Sequence, residues 1–517
     1  MIDFPHTLPR RTFLGLGVAA MAVPLVGCGP EDRTGGAPGE PVRGGRLRAA
    51  FVGEGTAEVL DPHETGLYVE IARAKAMFDK LADFDSDMAP TPRLATGWEP
   101  SEDLRTWRIT LREALFHDGR PLRAADVLSS YARIAAPDST LRAKASLGVI
   151  DLRNSREIDD RTIEFRLKRP YAELPNALAA LGTYIVPEGT TSFEKPVGTG
   201  PFRFVSFEPG RSFRAARNDD YWEQAPYLDE LEIVISNDES ARVNALVGGQ
   251  VEYAHELSPT SARTYESDAR IQIHRLPRSN FHGVAMKVDR PPFDNPDLRQ
   301  ALFHLVDREE LVRSVFEGSG ELCNDLFGKG FTYYADEIPQ RRQDLDRAAD
   351  LLKKAGAEGM TIDFDTSDSS PGMKEAALAI SDQAAKIGLD LRVRLGDKDT
   401  YWSDIATNGV LASYRSGPMP LESHISQRLL TTSTTNNTMW KLPEFDALYE
   451  KAQSAADEKE RAAIYLQMQE KLFEEGGFLW WGVSDWVVAS AQSVGGIEES
   501  APASTLDWAR FDRVWLA

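Results

Sequence analysis

The chain has 517 residues, and 59 Lys and Arg against 80 Asp and Glu leave a formal net charge of −21. With 42% hydrophobic and 27% charged residues it has an ordinary globular balance, which excludes a disordered polymer, a collagen-like repeat and a multi-span membrane protein. The acidic surplus argues against a nucleic-acid partner, which needs clustered cations to displace the counterions around phosphate. At about 150 residues per domain, the length predicts roughly three domains or large lobes.

The first segment is expected to lie outside the fold. Arg10-Arg11 lead into Phe13-Leu14 and an uncharged run from Thr12 to Gly27, long enough for a signal-peptide core and too short to span a bilayer comfortably. Residues 1–27 therefore read as an export signal. The paired arginines fit the twin-arginine type, with an ordinary secretory signal as the alternative. Leu25-Val26-Gly27-Cys28 fits a bacterial lipobox, in which Cys28 is acylated and becomes the mature N-terminus. Residues 28–44, rich in Gly, Pro and charge, read as a lipid-anchored tether. Two acyl chains on Cys28 are enough to hold the protein to a membrane without a spanning helix. Cys323, the second of two cysteines, then has no partner for a disulfide.

In chain order, Arg46 to Val52 alternates as a strand and breaks at Gly53 and Gly55 into Leu60-Asp61-Pro62-His63. Trp107 to Leu111 alternates again, and Phe116-His117-Asp118-Gly119 supplies a turn. A helix is predicted over Ala124 to Ile134, with strands over Arg161 to Leu167 and Phe202 to Phe207. Near Val284 the pattern becomes helical. Apolar spacing predicts one helix over Leu298 to Phe316 and others over Arg342 to Ala355 and Met373 to Ile387, the last two each followed by a short strand. Such alternation implies an α/β lobe. Ala447 to Phe473 reads as a long helical region, and Phe478 to Ala489 returns to strand composition.

Several motifs carry a resemblance. They include Leu60-Asp61-Pro62-His63, Pro92 to Glu99, Phe116 to Gly119 with Ala125-Asp126-Val127, Pro196 to Phe202, Arg217 to Trp222, Leu246 to Glu252, Pro291 to Leu302, Asp307-Arg308 and Pro443 to Asp446. In this order, behind a lipobox, they resemble the extracellular solute-binding proteins of family 5, receptors for ABC importers of peptides, nickel and related solutes. The resemblance implies a two-lobed α/β fold like that of the periplasmic binding proteins, type II and of the large peptide-binding subclass. The first lobe would span 45–282 with an extra subdomain at about 62–187, the second 283–482, and residues 483–517 would return to the first. The crossings would fall near His274 to His282 and Trp481 to Val487. Implied partners are a small-molecule or peptide ligand and ABC permease subunits. The receptor would be a monomer without a cofactor, held by lipid at the outer face of the cell membrane or in the periplasm.

Most of these motifs read as structural. Gly198 and Gly200 fit tight backbone positions, and Trp98, Trp107, Tyr221 and Trp222 read as core aromatics. No catalytic constellation stands out. Gly482-Val483-Ser484-Asp485-Trp486 lacks the second glycine of a nucleophile elbow, and the eight histidines form no metal-ligating pattern. A secreted hydrolase, or a receptor coupled to signalling, remains the alternative. For ligand binding the informative stretch is Ser413 to Pro420. Peptide-binding relatives place a Trp at its start and an Asp a few residues on, to pair with the peptide's amino group. Here Ser413 and Ser416 take those places, and a hydroxyl cannot neutralise a buried ammonium. Tyr414, Arg415 and Ser416 are therefore candidates, with Arg415 able to bind a carboxylate, phosphate or sulfate through its planar fork. Trp480 and Trp481 are candidates for stacking, and Thr65, Leu67 and Tyr68 are the first-lobe counterparts.

Replacing Cys28 by Ala is expected to move most of the protein from the membrane pellet to the soluble extracytoplasmic fraction, which fractionation and immunoblotting would read.

Overall fold

Alternating apolar residues make Arg46–Phe51 a strand with one face in the core, and it pairs in parallel with Glu230–Ile235 and Tyr253–Leu257. The computed structural model describes residues 39–53, 55–397, 400–433, 435–499, 502 and 508–517, so the segment read as an export signal, with Cys28, lies outside the described residues. Among the described residues no helix is long and apolar enough to cross a membrane.

The three strands just named belong to an 11-stranded sheet that runs through both lobes. Its first-lobe side continues through Ser212–Arg217 to Phe202–Glu208, and its second-lobe side ends in Leu411–Ser416, Thr361–Thr366 and Asp390–Leu395. Between the two sides lie two long strands, Ile271–Met286 and Phe478–Ala491, paired antiparallel with each other. Their Ile271 to Leu276 and Trp486 to Ala491 halves lie on the first-lobe side, and their Phe281 to Ala285 and Phe478 to Val483 halves on the second. The register slips between Leu276 and Asn280, where Arg278 takes φ 51° and its guanidinium donates to the Gly330 carbonyl at 2.8 Å.

A separate four-stranded sheet, in the order Ala95–Pro100, Thr106–Leu111, Thr162–Arg166 and Arg156–Asp159, forms the subdomain. The helix Ala124–Ile134 covers it, burying Val127, Tyr131 and Ile134 and stacking Tyr131 on Phe165. The apolar core of this subdomain continues into the second lobe, from Trp107 and Phe165 to Tyr449, Tyr465 and Trp480.

The motif residues hold the subdomain to the first lobe. The buried Asp79 carboxylate accepts from Thr199 Oγ1 at 2.9 Å, Tyr221 Oη at 3.2 Å and Trp222 Nε1 at 2.9 Å, and Arg93 lies 3.5 Å away. Nearby, Asp61 pairs with Arg133, which also donates to His63 Nδ1, while His63 Nε2 donates to the Tyr184 carbonyl. Burial lowers His63 to about 4, so its imidazole is neutral and structural at pH 7.

Two predicted helices are broken. Leu298 to Phe316 is two helices, Pro296–Leu305 and Arg308–Val315, because Val306 turns extended and the Asp307 carboxylate caps the second by accepting from Glu310 N at 2.9 Å. The region Ala447 to Phe473 likewise divides into Pro443–Ser454 and Glu458–Glu475, with Asp457 capping the second. Apolar periodicity passes through both breaks, and the local aspartate caps decide them.

A Cβ on Gly200 would sit 2.4 Å from the Met77 carbonyl carbon, whereas one on Gly417 would meet nothing within 4 Å. Gly200→Ala is expected to destabilise the protein by about 1–3 kcal/mol and Gly417→Ala by much less, measured by denaturant unfolding.

Candidate functional site

Between the lobes lies a cavity of about 1020 Å³. Its first-lobe wall comes from the start of the helix Tyr68–Met77, from residues 142–149 and from 168–184. Its second-lobe wall is Arg415 to Pro420 followed by the helix Leu421–Arg428.

Local capping sets Tyr68. The Glu70 carboxylate turns back to accept from Gly66 N at 2.8 Å and Leu67 N at 3.0 Å, fixing the first turn. The Tyr68 ring then packs on Trp486, 4.4 Å between centroids, and on Trp508 and His255. Burial pushes its hydroxyl up to about 12, with the Arg415 charge acting in the opposite sense.

Arg415 sits on the strand Leu411–Ser416. Its Nε and Nη2 both donate to Asn280 Oδ1, at 2.9 and 2.5 Å, and its Nη1 donates to Ser370 Oγ at 2.7 Å. The guanidinium lies 5.5 Å from the Trp486 ring. One cation thus touches both crossing strands, through Asn280 and Trp486.

Of the eight side chains singled out in the sequence, Tyr68, Arg415 and Ser416 line the cavity. Thr65 is buried and donates to the Pro62 carbonyl, and Leu67 packs against the first-lobe core. Tyr414 lies among Trp402, Phe478 and Trp480. Trp480 and Trp481, each 1% exposed, face opposite sides of their strand. Trp480 enters the core shared with the subdomain, and Trp481 stacks on Phe316 in the second-lobe core. A strand covered on both faces gives neither ring access to the cavity. The sequence reading missed Arg142, Arg169, Arg428 and Glu422, which do line it. Arg428 ends the helix that directly follows the stretch singled out, so scanning one helix further would have found it.

At the rim the lobes bind through Glu173. Its carboxylate accepts from Tyr465 Oη at 2.5 Å and Gln453 Nε2 at 2.8 Å, both from the second lobe, while Ala172 N donates to the Gln453 carbonyl at 2.8 Å. Burial first, and then the charge of Glu422, push Glu173 up to about 7; the hydrogen bonds and Arg461 act against them.

Residues 89–438 match the model described as bacterial extracellular solute-binding proteins, family 5 Middle. The glutathione-binding protein GsiB of Pectobacterium atrosepticum is 24% identical over 511 residues, covering 95% of this chain and 96% of that protein. Heme-binding protein A of Haemophilus influenzae is 26% identical over 447 residues, 77% of this chain and 80% of that one. In structure, the ABC transporter substrate-binding protein CtaP of Listeria monocytogenes matches with a TM-score of 0.82 at 22% identity, over 92% of this chain and 99% of that chain.

A carboxyl group whose folded pKa is raised favours the folded state while protonated. That contribution is complete below the ordinary carboxylate pKa and is lost as pH rises through about 7. The melting temperature of the wild type is therefore expected to fall between pH 5 and pH 8 by a few °C more than that of Glu173→Gln, read by scanning calorimetry.

Proposed function

The chain belongs to the bacterial extracellular solute-binding proteins of family 5, and from that membership we propose that it captures a peptide-sized solute between its lobes and delivers it unchanged to the permease of an ABC importer. The observation that carries this reading is the cavity of about 1020 Å³ walled by both lobes. That volume is at the upper end for small-molecule sites, and burial of a guest on all sides requires the lobes to close around it. Relatives named as glutathione-binding and heme-binding support small solutes of differing chemistry as the cargo of this fold.

In the proposed mechanism, ligand joins Tyr68 on one side to Arg415 and Ser416 on the other. Closure follows only because the closed form binds the solute better, and the closed form is what the permease recognises. The contact at Glu173, Gln453 and Tyr465 holds the closed rim. Ser416 Oγ donates to the Gly417 carbonyl, a neutral contact that leaves this hydroxyl unactivated as a nucleophile. Lipid on Cys28, with residues 29–44 as tether, would keep the receptor beside its permease.

The test uses Gly417, where a larger side chain enters open space. Denaturing the purified wild type is expected to release about one equivalent of unchanged solute, detected by mass spectrometry, and Gly417→Trp none. Multiple turnover of that solute by the purified protein would favour a hydrolase. Undiminished uptake by cells lacking the gene would favour a signalling receptor.

A further inference from the structure

We infer that the solute is a polyanion, gripped from opposite lobes by Arg142 and Arg428 with Arg415 as a third cation on the same cavity lining, and that its negative charge is what allows the lobes to close. The inference rests on the reading of the interlobe cavity as the binding site.

The chain as a whole carries −21, yet the cavity has the opposite sign. Lys75 and Lys80 share the single Asp83 carboxylate, at 3.4 and 2.9 Å. Lys168 donates to the Gly148 carbonyl, and Arg169 packs against the Tyr171 and Tyr449 rings. The one carboxylate on the described lining, Glu422, accepts from Tyr449 Oη at 2.5 Å and from Ser423 Oγ at 3.1 Å. None of the four lining guanidiniums, Arg142, Arg169, Arg415 and Arg428, has a carboxylate at ion-pair distance among the described residues, and with Arg169 packed on its two rings, Arg142, Arg415 and Arg428 remain for a guest.

Arg142 keeps open surface, turned into the cavity from the first lobe. Arg428 comes from the second lobe, and its Nε is buried with no hydrogen-bond partner among the described residues. The two cations are close enough that the Arg428 charge adds to burial in lowering Arg142 below its ordinary value. Arg415 is oriented by Asn280 and Ser370 through three of its N–H groups, so two of the five a guanidinium carries are left for a ligand. The Glu256 carboxylate feels the Arg415 charge without forming an ion pair with it.

Two like charges lining one cavity repel, and among the described residues neither has a carboxylate partner for its planar fork. An anion between them removes both costs at once, and two or more oxyacid groups satisfy all three guanidiniums. A free ammonium would find only Glu422 on the described lining, whose two oxygens already accept from Tyr449 and Ser423.

Calorimetric titration of solute-free protein tests this with N-acetyl-triglutamate, citrate, inorganic pyrophosphate, trialanine and trilysine. At least one anionic probe is expected to bind ten times or more tighter than trialanine, and trilysine is expected not to bind. The winning probe separates a carboxylate cargo from a phosphate one. Arg142→Ala and Arg428→Ala should each weaken that probe about tenfold or more, while Arg142→Lys retains most of the affinity. Solute-free variants should melt no lower than wild type, since no ion pair is lost. Tightest binding by trialanine or trilysine would overturn the inference, as would unchanged affinity of the best anion for the Arg142→Ala/Arg428→Ala double variant. If Gly417→Trp still abolishes binding in those cases, the cavity remains the site and only its charge assignment fails; if Gly417→Trp binds normally, the underlying cavity reading fails.

Discussion

The antiparallel ladder between Ile271–Met286 and Phe478–Ala491 is the constraint on which the rest of the molecule depends. Each lobe builds its own core against one half of this ladder, and the 11-stranded sheet is continuous only because these two strands serve both halves. Backbone hydrogen bonds are indifferent to side-chain identity, so the join needs no special sequence beyond β-forming residues. The register slip at Leu276 to Asn280 interrupts that ladder between the lobes. In the proposed closure this is where bending would concentrate.

Electrostatics divides the molecule into two regimes. Contacts that build the fold are neutralised pairs or satisfied dipoles, as at Asp79, Asp61 and the buried pair Arg308 and Asp325. The cavity departs from that rule. Arg415 is held there by neutral oxygens and an aromatic face, which orient a cation without cancelling its charge. A protein that leaves guanidiniums uncompensated at one place, while compensating them elsewhere, has kept stability and recognition in separate locations.

Much of the fold was legible from pattern. Strands at Arg46–Phe51, Thr106–Leu111 and Phe478–Ala491, and the helix Ala124–Ile134, follow directly from period-two and helical spacing. The breaks at Asp307 and Asp457 were not legible that way, because capping acts over three residues and apolar periodicity averages over many. Within the site, Arg415 was found by its neighbourhood in sequence. Arg142 could not be found so, since it lies far along the chain and reaches the cavity only once the subdomain has folded. Trp480 and Trp481 had a composition that suits a binding wall, but both faces of their strand are covered. Net composition also concealed the cavity's sign, because a surplus of acids elsewhere outweighs a few unpaired arginines.

The position of Arg415 joins these regimes mechanically. Its guanidinium bonds Asn280, the residue at which pairing resumes after the slip, and it lies over Trp486 on the other crossing strand. In the proposed closure, any force a guest exerts on that cation would be delivered to the pivot itself, with no intervening chain of contacts to dissipate it. The molecule would then be geared like a short lever, in which the gripping point and the fulcrum are one side chain apart.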